Sequence, residues 1–309
     1  MTMSLATVDI FGLGVATVDD IVYVERFPIP NEKQNILSSV RQGGGLTATA
    51  LVAAARQGCR CCLAISLGND DLSLFIQQSL SVEKITLSLT PAAPGEKPYH
   101  SLIITEKTSG ARSILCDNSN TAPPRLSQAD IDLATRAKCV LTDFVFAKAV
   151  LPGIVAARQA GTPVVGDFER EDQSTLEVMR ATNHLILPLA YALQASGESS
   201  PEAAVRALLN QPDRELVAVT DSERGAWYGE AAKPQVVKHQ PAFPAAKVVD
   251  STGCGDVFHG VYAASLVEQF PPAERIRRAA AAASLKVAHP GAQAGAPTRK
   301  ELEAFLAQA

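Results

Sequence analysis

Short apolar runs alternate with amphipathic stretches along most of the chain. Residues 8–13 read as a strand, 47–57 as an alanine-rich helix closed by Gly58, 60–66 as a second strand and 71–80 as a second helix. Further strand signals sit at 139–142, 162–166, 185–187 and 216–220. Helical spacing marks 150–160, 201–209 and a long region near the C-terminus. Brief apolar strands between helices predict a parallel sheet covered on both sides. The expected fold class is α/β: one three-layer αβα domain over residues 1–309 with a mainly parallel central sheet.

Two segments break this rhythm. Ile21, Val22, Tyr23 and Val24 lead into a proline-punctuated loop and then into 35–40. Residues 101–105 and 112–116 flank a Thr108-Ser109-Gly110 turn, as a β-hairpin would. Neither fits a strand–helix unit. They predict a small β-layer outside the main sheet, built from about 18–42 and 97–117. The sequence carries no internal repeat and no low-complexity linker.

A chain of 309 residues, 47% hydrophobic and 19% charged, can bury a sizeable core. A net charge of -4 and a pI near 5.8 leave no basic excess to neutralise phosphates, which argues against nucleic acid as a partner. No apolar run approaches the ~18 residues that span a bilayer. The opening MTMSLATVDIFGLG lacks the basic and long apolar regions of a signal peptide. A cytoplasmic protein without membrane or nucleic-acid partners is expected. Cysteines at 59, 61, 62, 116, 139 and 254 match neither zinc-ligand spacing nor a redox pair, and are expected as reduced, mostly buried thiols.

The densest chemistry lies at 247–260. An apolar strand end runs into Asp250-Ser-Thr-Gly253-Cys-Gly255-Asp256, then into a helix with Val257, Val261, Ala264 and Leu266 at helical spacing. Gly253 and Gly255 let backbone N–H groups crowd around one point. The helix N-terminus adds positive potential, which makes a cradle for phosphoryl charge. A carboxylate in such a place needs a task. Asp256 is placed to take the proton of an attacking hydroxyl while the amides stabilise the group in transit. The helix end is expected to keep Asp256 ionised. The plainer alternative is that Asp250 and Asp256 only cap a turn and a helix.

This stretch resembles the DTxGAGD signature of the PfkB carbohydrate kinases, the ribokinase-like family, with Ser251 for the usual Thr and Cys254 for Ala. The resemblance implies an ATP-dependent sugar kinase with a ribokinase-like fold. It gives Asp256 the role of base and the amides of Gly253, Cys254 and Gly255 that of anion hole beside the nucleotide. Asp250 would lie near the phosphates and their cations. Other family marks follow in order over about residues 9–305. Gly14-Val-Ala-Thr-Val-Asp19 is similar to the first-strand motif whose Asp binds sugar hydroxyls, a fitting task for an acceptor-only carboxylate. Gly43-Gly44-Gly45 resembles the family's GG motif at the sugar, with Thr49 where Asn is usual, and Gly68-Asn-Asp70 fits its G-x-D turn. By the same resemblance the two β segments form a lid over the sugar, and the lids pair in a homodimer.

On the nucleotide side, Thr220 and Gly225 resemble a T-x-G-x-x-G strand end in which Ser222 replaces the first glycine. Residues 282–291, with Ser284, Lys286 and His289, align with a region that packs on adenine and can hold a monovalent cation such as K+. Mg2+ is expected from phosphoryl transfer. Pro188 and Tyr191 stand where many relatives carry the N-x-x-E motif that organises it, so Asp250 and Asp167 remain as candidate ligands. Asp256-Val-Phe-His-Gly260, with His239-Gln-Pro-Ala-Phe243, is most like the sulfofructose kinase branch, which points to a ketose or related sugar. An anionic sugar would meet Lys33, Arg41 or Arg112. A nucleoside kinase is the runner-up within the family. A non-catalytic sugar or nucleotide sensor is a rival, supported by the missing N-x-x-E. A nicotinamide dehydrogenase, suggested by Gly12-Leu-Gly14, fails at Thr17, where a third glycine would stand.

Overall fold

The computed structural model describes residues 8–108, 111–170 and 172–308, so Ser109 and Gly110 of the expected hairpin turn lie outside the described residues. The strands are β1 (Ile10–Leu13), β2 (Thr17–Val24), β3 (Ser38–Gly44), β4 (Cys61–Leu67), β5 (Thr86–Pro91), β6 (Tyr99–Glu106) and β7 (Arg112–Asp117). They continue as β8 (Cys139–Asp143), β9 (Val164–Asp167), β10 (His184–Pro188), β11 (Leu216–Thr220), β12 (Ala226–Glu230) and β13 (Val237–Gln240). The helices are α1 (Leu46–Arg56), α2 (Asp71–Val82), α3 (Gln128–Arg136), α4 (Ala147–Gln159) and α5 (Gln173–Ala181). After them come α6 (Leu189–Ser196), α7 (Pro201–Leu209), α8 (Cys254–Val267), α9 (Pro272–Lys286) and α10 (Arg299–Leu306).

The main sheet runs β13-β12-β11-β10-β9-β8-β1-β4-β5. It is parallel from β5 to β11, and β12 and β13 join antiparallel at one edge. Side chains alternate between two cores. Cys61, Leu63 and Ile65 of β4 pack into the layer that holds Leu51, Ile76, Tyr262, Ile276 and Leu302. Cys62 and Ala64 pack into the opposite layer with Leu133, Ile154, Val178 and Val205. Burial on both faces is why these strands read as unbroken apolar runs. The expected αβα arrangement is what forms.

Helices α1 and α8 approach backbone to backbone. A Cβ on Gly260 would run into the Ala50 carbonyl oxygen and come 2.9 Å from its Cα. No flexible side-chain end is there to yield, so the two helices must separate. Gly260→Ala is expected to lower unfolding free energy by about 1–3 kcal/mol. A urea denaturation midpoint equal to the parent's would show that the contact relaxes freely.

The two irregular segments join one four-stranded sheet, β3-β2-β6-β7. β2 pairs antiparallel with β3 and parallel with β6, and β6 and β7 form the expected antiparallel pair. Only three residues separate β1 from β2. The small sheet therefore rises from the carboxyl end of the main sheet, where open α/β sheets carry their clefts. Among the described residues no helix is long and apolar enough to cross a membrane. Cys61, Cys62 and Cys139 are buried free thiols as expected, whereas Cys59 and Cys254 are half-buried and Cys116 is exposed on β7.

Candidate active site

The carboxyl ends of β1 and β8 are joined by Asp143, a residue the sequence pattern did not single out. Fully buried, it accepts from the N–H of Val15 at 2.7 Å, the hydroxyl of Thr47 at 2.7 Å and the N–H of Val145 at 2.8 Å. Burial raises its pKa, and these donors oppose the rise. Asp143 thereby fixes the start of α1 against the turn that leads into β2.

Asp19 projects beside that junction. It is 7% exposed, and its Oδ1 accepts from the Thr17 hydroxyl at 3.0 Å. Desolvation pushes its pKa up, while hydrogen bonds from Thr17 and Ser101 pull it down. Gly44 passes so close that a Cβ would run into Asp19 Oδ2 and come 2.8 Å from its Cγ. Gly45 takes φ 91 at the N-cap of α1, where a Cβ would meet the Val15 carbonyl oxygen at 2.6 Å. Asp19, Gly44 and Gly45 are thus brought together.

Other expected sugar contacts are not. Thr49 is fully buried within α1, and its hydroxyl has no hydrogen-bond partner among the described residues, so it does not wall an open cleft. Lys33 is exposed in the connection beyond the Tyr23–Ser38 pair. Arg41 is held by Asp20 at 2.7 Å and by Asp71.

At the phosphate turn, Gly253 adopts φ 79 as the N-cap of α8, and a Cβ there would press on Ala292 at 2.7 Å. Around Gly255 a Cβ would meet nothing within 4 Å. One glycine shapes the turn and the other leaves its face open. Cys254 departs from expectation, because its N–H donates to the Ser251 carbonyl at 3.2 Å. Among the described residues no backbone acceptor takes the N–H of Gly255 or Asp256. The N–H of Gly253 likewise has no backbone acceptor among them, so of the three expected amides Cys254 alone is engaged, and Asp256 adds a further free N–H. Burial pushes the Cys254 thiol up to about 11, so it stays protonated.

Asp256 is partly exposed, yet its carboxyl lies among desolvated groups. Desolvation and the charges of Asp167, Glu169 and Asp143 push its pKa well above the carboxylate range, against the pull of His259. The helix end alone does not keep Asp256 ionised: burial and three like charges outweigh it. Asp167, 4% exposed at the end of β9, is shifted the same way by desolvation, Glu169 and Asp143. His259 ties this group together. Its ring nitrogens lie 2.8 Å from the Gly255 carbonyl, 3.2 Å from the Ile186 carbonyl and 3.3 Å from Asp167 Oδ2.

Asp250 is engaged rather than open. Its carboxylate accepts from the N–H of Thr252 at 2.8 Å, the N–H of Gly291 at 2.8 Å and Arg112 Nη1 at 3.3 Å. Arg112 also bonds the Thr252 hydroxyl. Expected beside a substrate anion, Arg112 instead crosses from β7 to the phosphate turn.

The nucleotide-side residues follow the expected order. The Thr220 hydroxyl donates to the Leu187 carbonyl at 3.4 Å, and Gly225 lies where a Cβ would meet the Ala242 nitrogen at 2.6 Å. Ser222 takes φ 46, so the turn keeps a glycine-like backbone despite the substitution. Ser284 donates to the Phe243 carbonyl at 3.0 Å, and exposed His289 gives its N–H to the Lys286 carbonyl at 2.9 Å. The two halves meet in a glycine seam. A Cβ on Gly291 would come 3.0 Å from Gln42 Cδ, and one on Gly43 would come 3.0 Å from Gln293 Cδ.

Residues 8–299 match the pfkB family of carbohydrate kinases. The chain belongs to this family. This pfkB kinase is 24% identical to the ribokinase of Haemophilus influenzae over 308 residues, 96% of this chain and 98% of that protein. A putative ribokinase from Agrobacterium tumefaciens superposes with a TM-score of 0.88 at 26% identity, covering 98% of both chains. Arabidopsis thaliana ribokinase, solved with ribose and ATP, superposes with a TM-score of 0.84 at 24% identity over 97% of this chain and 99% of that one. The fold is ribokinase-like, and the protein is a phosphotransferase of the sugar-kinase kind.

The metal site of this pfkB kinase is thin in protein donors. Among the described residues no three His, Cys, Asp or Glu side chains are grouped as metal ligands, and Tyr191, buried in α6, offers no carboxylate. Asp167 and Glu169 lie near enough to Asp256 to raise its pKa, and a divalent cation arriving on nucleotide phosphates would relieve that repulsion.

Proposed function

We propose that this protein transfers the terminal phosphoryl group of ATP to a hydroxyl of a ketose or related sugar held between the two sheets. The observation that carries the reading is the glycine seam. Gln42 and Gly43, on the strand that pairs with Asp19, lie against the turn that is hydrogen-bonded to Asp250, which supports an acceptor half and a phosphate half sharing one cleft. Asp19 orients the sugar hydroxyls. Asp256 receives the proton as the acceptor oxygen bonds to phosphorus and ADP departs. The amides of Gly255 and Asp256 take the charge in transit. Mg2+, near Asp167, would supply charge neutralisation on the phosphates. Arg112 adds a guanidinium from the small sheet, which acts as the lid. The Asp256-Val-Phe-His-Gly260 run supports a ketose. Exposed Val40, Leu102, Ile114 and Leu115 support pairing of two lids in a homodimer.

A second reading, a nucleoside kinase, is favoured by one feature. A cleft of about 280 Å³ at the base of the small sheet is lined by Tyr99, Asn118, Phe144, Phe146 and Arg170, and its aromatic rings could stack on a base. The test is ADP release with ATP and Mg2+ over ketoses, aldoses and nucleosides, with the product identified by phosphorus NMR. A phosphorylated ketose is expected. Preferential turnover of nucleosides would replace that substrate class. Sugar-induced thermal stabilisation without turnover would make the protein a sensor.

A further inference from the structure

Lys286, the last residue of α9, has no place in the reaction just described, yet it is fully buried. A lysine is almost never buried without a partner for its charge. Its Nζ donates to the backbone carbonyl of Asp250 at 2.7 Å, directly behind the phosphate turn. The surrounding chain is shaped around this side chain. The N–H groups of Val249 and Asp250 both donate to the Val287 carbonyl, at 2.9 and 3.1 Å, and Gly291 N–H holds the Asp250 carboxylate. Gly295 leaves the space the stem needs, since a Cβ there would come 3.2 Å from Lys286 Cε.

We propose that the Lys286 ammonium is a built-in monovalent cation for the phosphate turn, so that catalysis by this kinase does not depend on K+. The proposal rests on the kinase reading above. An ammonium and a potassium ion carry the same charge and accept the same carbonyl oxygens, so a tethered ammonium at the Asp250 carbonyl supplies what a bound ion would. A second cation would meet like charge in a desolvated place, so the residues at 282–291 do not fit K+. Burial lowers the lysine's pKa, and the charge of Asp250 acts to hold its proton. Lys286 is a positioning residue: it steadies the turn that presents the Gly255 and Asp256 amides and touches no reacting atom.

The experiment compares kcat and the KM for ATP in choline, Na+, K+ and NH4+ buffers at one ionic strength, for the parent protein, Lys286→Met and Lys286→Ala. The parent is expected to be indifferent to the cation. Lys286→Met is expected to lose on the order of tenfold or more in kcat in choline. K+ or NH4+ is expected to restore activity in a saturable way, and methylamine to do so in Lys286→Ala. A merely structural lysine would give no such rescue. Saturable activation of the parent by K+ would overturn the proposal. So would full activity of Lys286→Met in choline, or a folded, inactive variant that no cation or amine restores. If neither variant folds, the cation response of the parent decides. If the parent turns over no substrate, the kinase reading fails separately, and the cation dependence of ATP-analogue binding by calorimetry still tests Lys286.

Discussion

Asp256→Asn is expected to lower kcat by on the order of 10²–10⁴-fold while nucleotide affinity stays near the parent value. Asparagine keeps the shape of the side chain and removes its capacity to accept the proton. The turn itself is held by other groups: Gly253 at φ 79, the Cys254–Ser251 hydrogen bond and the His259 contact with the Gly255 carbonyl. Stability separates a catalytic from a structural role. An acid whose pKa is raised by folding contributes most at low pH and loses that contribution as pH climbs through the raised value. At neutral pH the unfolded chain ionises this group freely and the fold resists it, so the carboxyl opposes folding and the Asn variant is expected to melt at the same temperature or higher. Lower melting with unchanged turnover would remove Asp256 from the chemistry and leave it a helix cap.

Asp19→Ala is expected to raise the sugar KM by about 10²-fold or more, because charge-assisted hydrogen bonds contribute roughly 1.5–3 kcal/mol each and the carboxylate can accept two hydroxyls. Thr17 and Ser101 already orient this carboxylate, and Gly44 gives up its side chain to make room for it. The loss should fall on sugar, not on ATP. Equal rises in both KM values would mean that the variant disturbs the shared seam rather than a sugar contact.

How much was legible depended on where each residue's partner lies. The parallel strands declared themselves because both faces are buried, which writes an apolar run into the sequence. β5, β12 and β13 escaped notice because they sit at or near sheet edges, where polar and partly buried residues interrupt the apolar ones. Helices α3, α5 and α6 each bury only two or three side chains, too few to write a clear apolar stripe. The equally short α7 buries Ala204, Val205, Leu208 and Leu209 and was legible. The Asp250–Asp256 turn was readable because its chemistry is local. Asp143 and Arg112 act on residues 128 and 138 positions away, which no local pattern encodes. A carboxylate ending a buried parallel strand was the one available hint for Asp143. Arg112 stood out only as a cation of the small sheet, and its contacts with Asp250 and Thr252 are long-range ones that the sequence does not encode.

Gln42 against Gly291 and Gln293 against Gly43 bring the end of the small sheet against the 291–293 turn through two reciprocal glutamine–glycine contacts. A Cβ on either glycine would meet only the end of a glutamine side chain, which can swing aside; the backbone of Gly291, at φ 79, is what resists substitution. Strand β7 lies at the opposite edge of the small sheet from β3, so its outer face can vary without touching either contact.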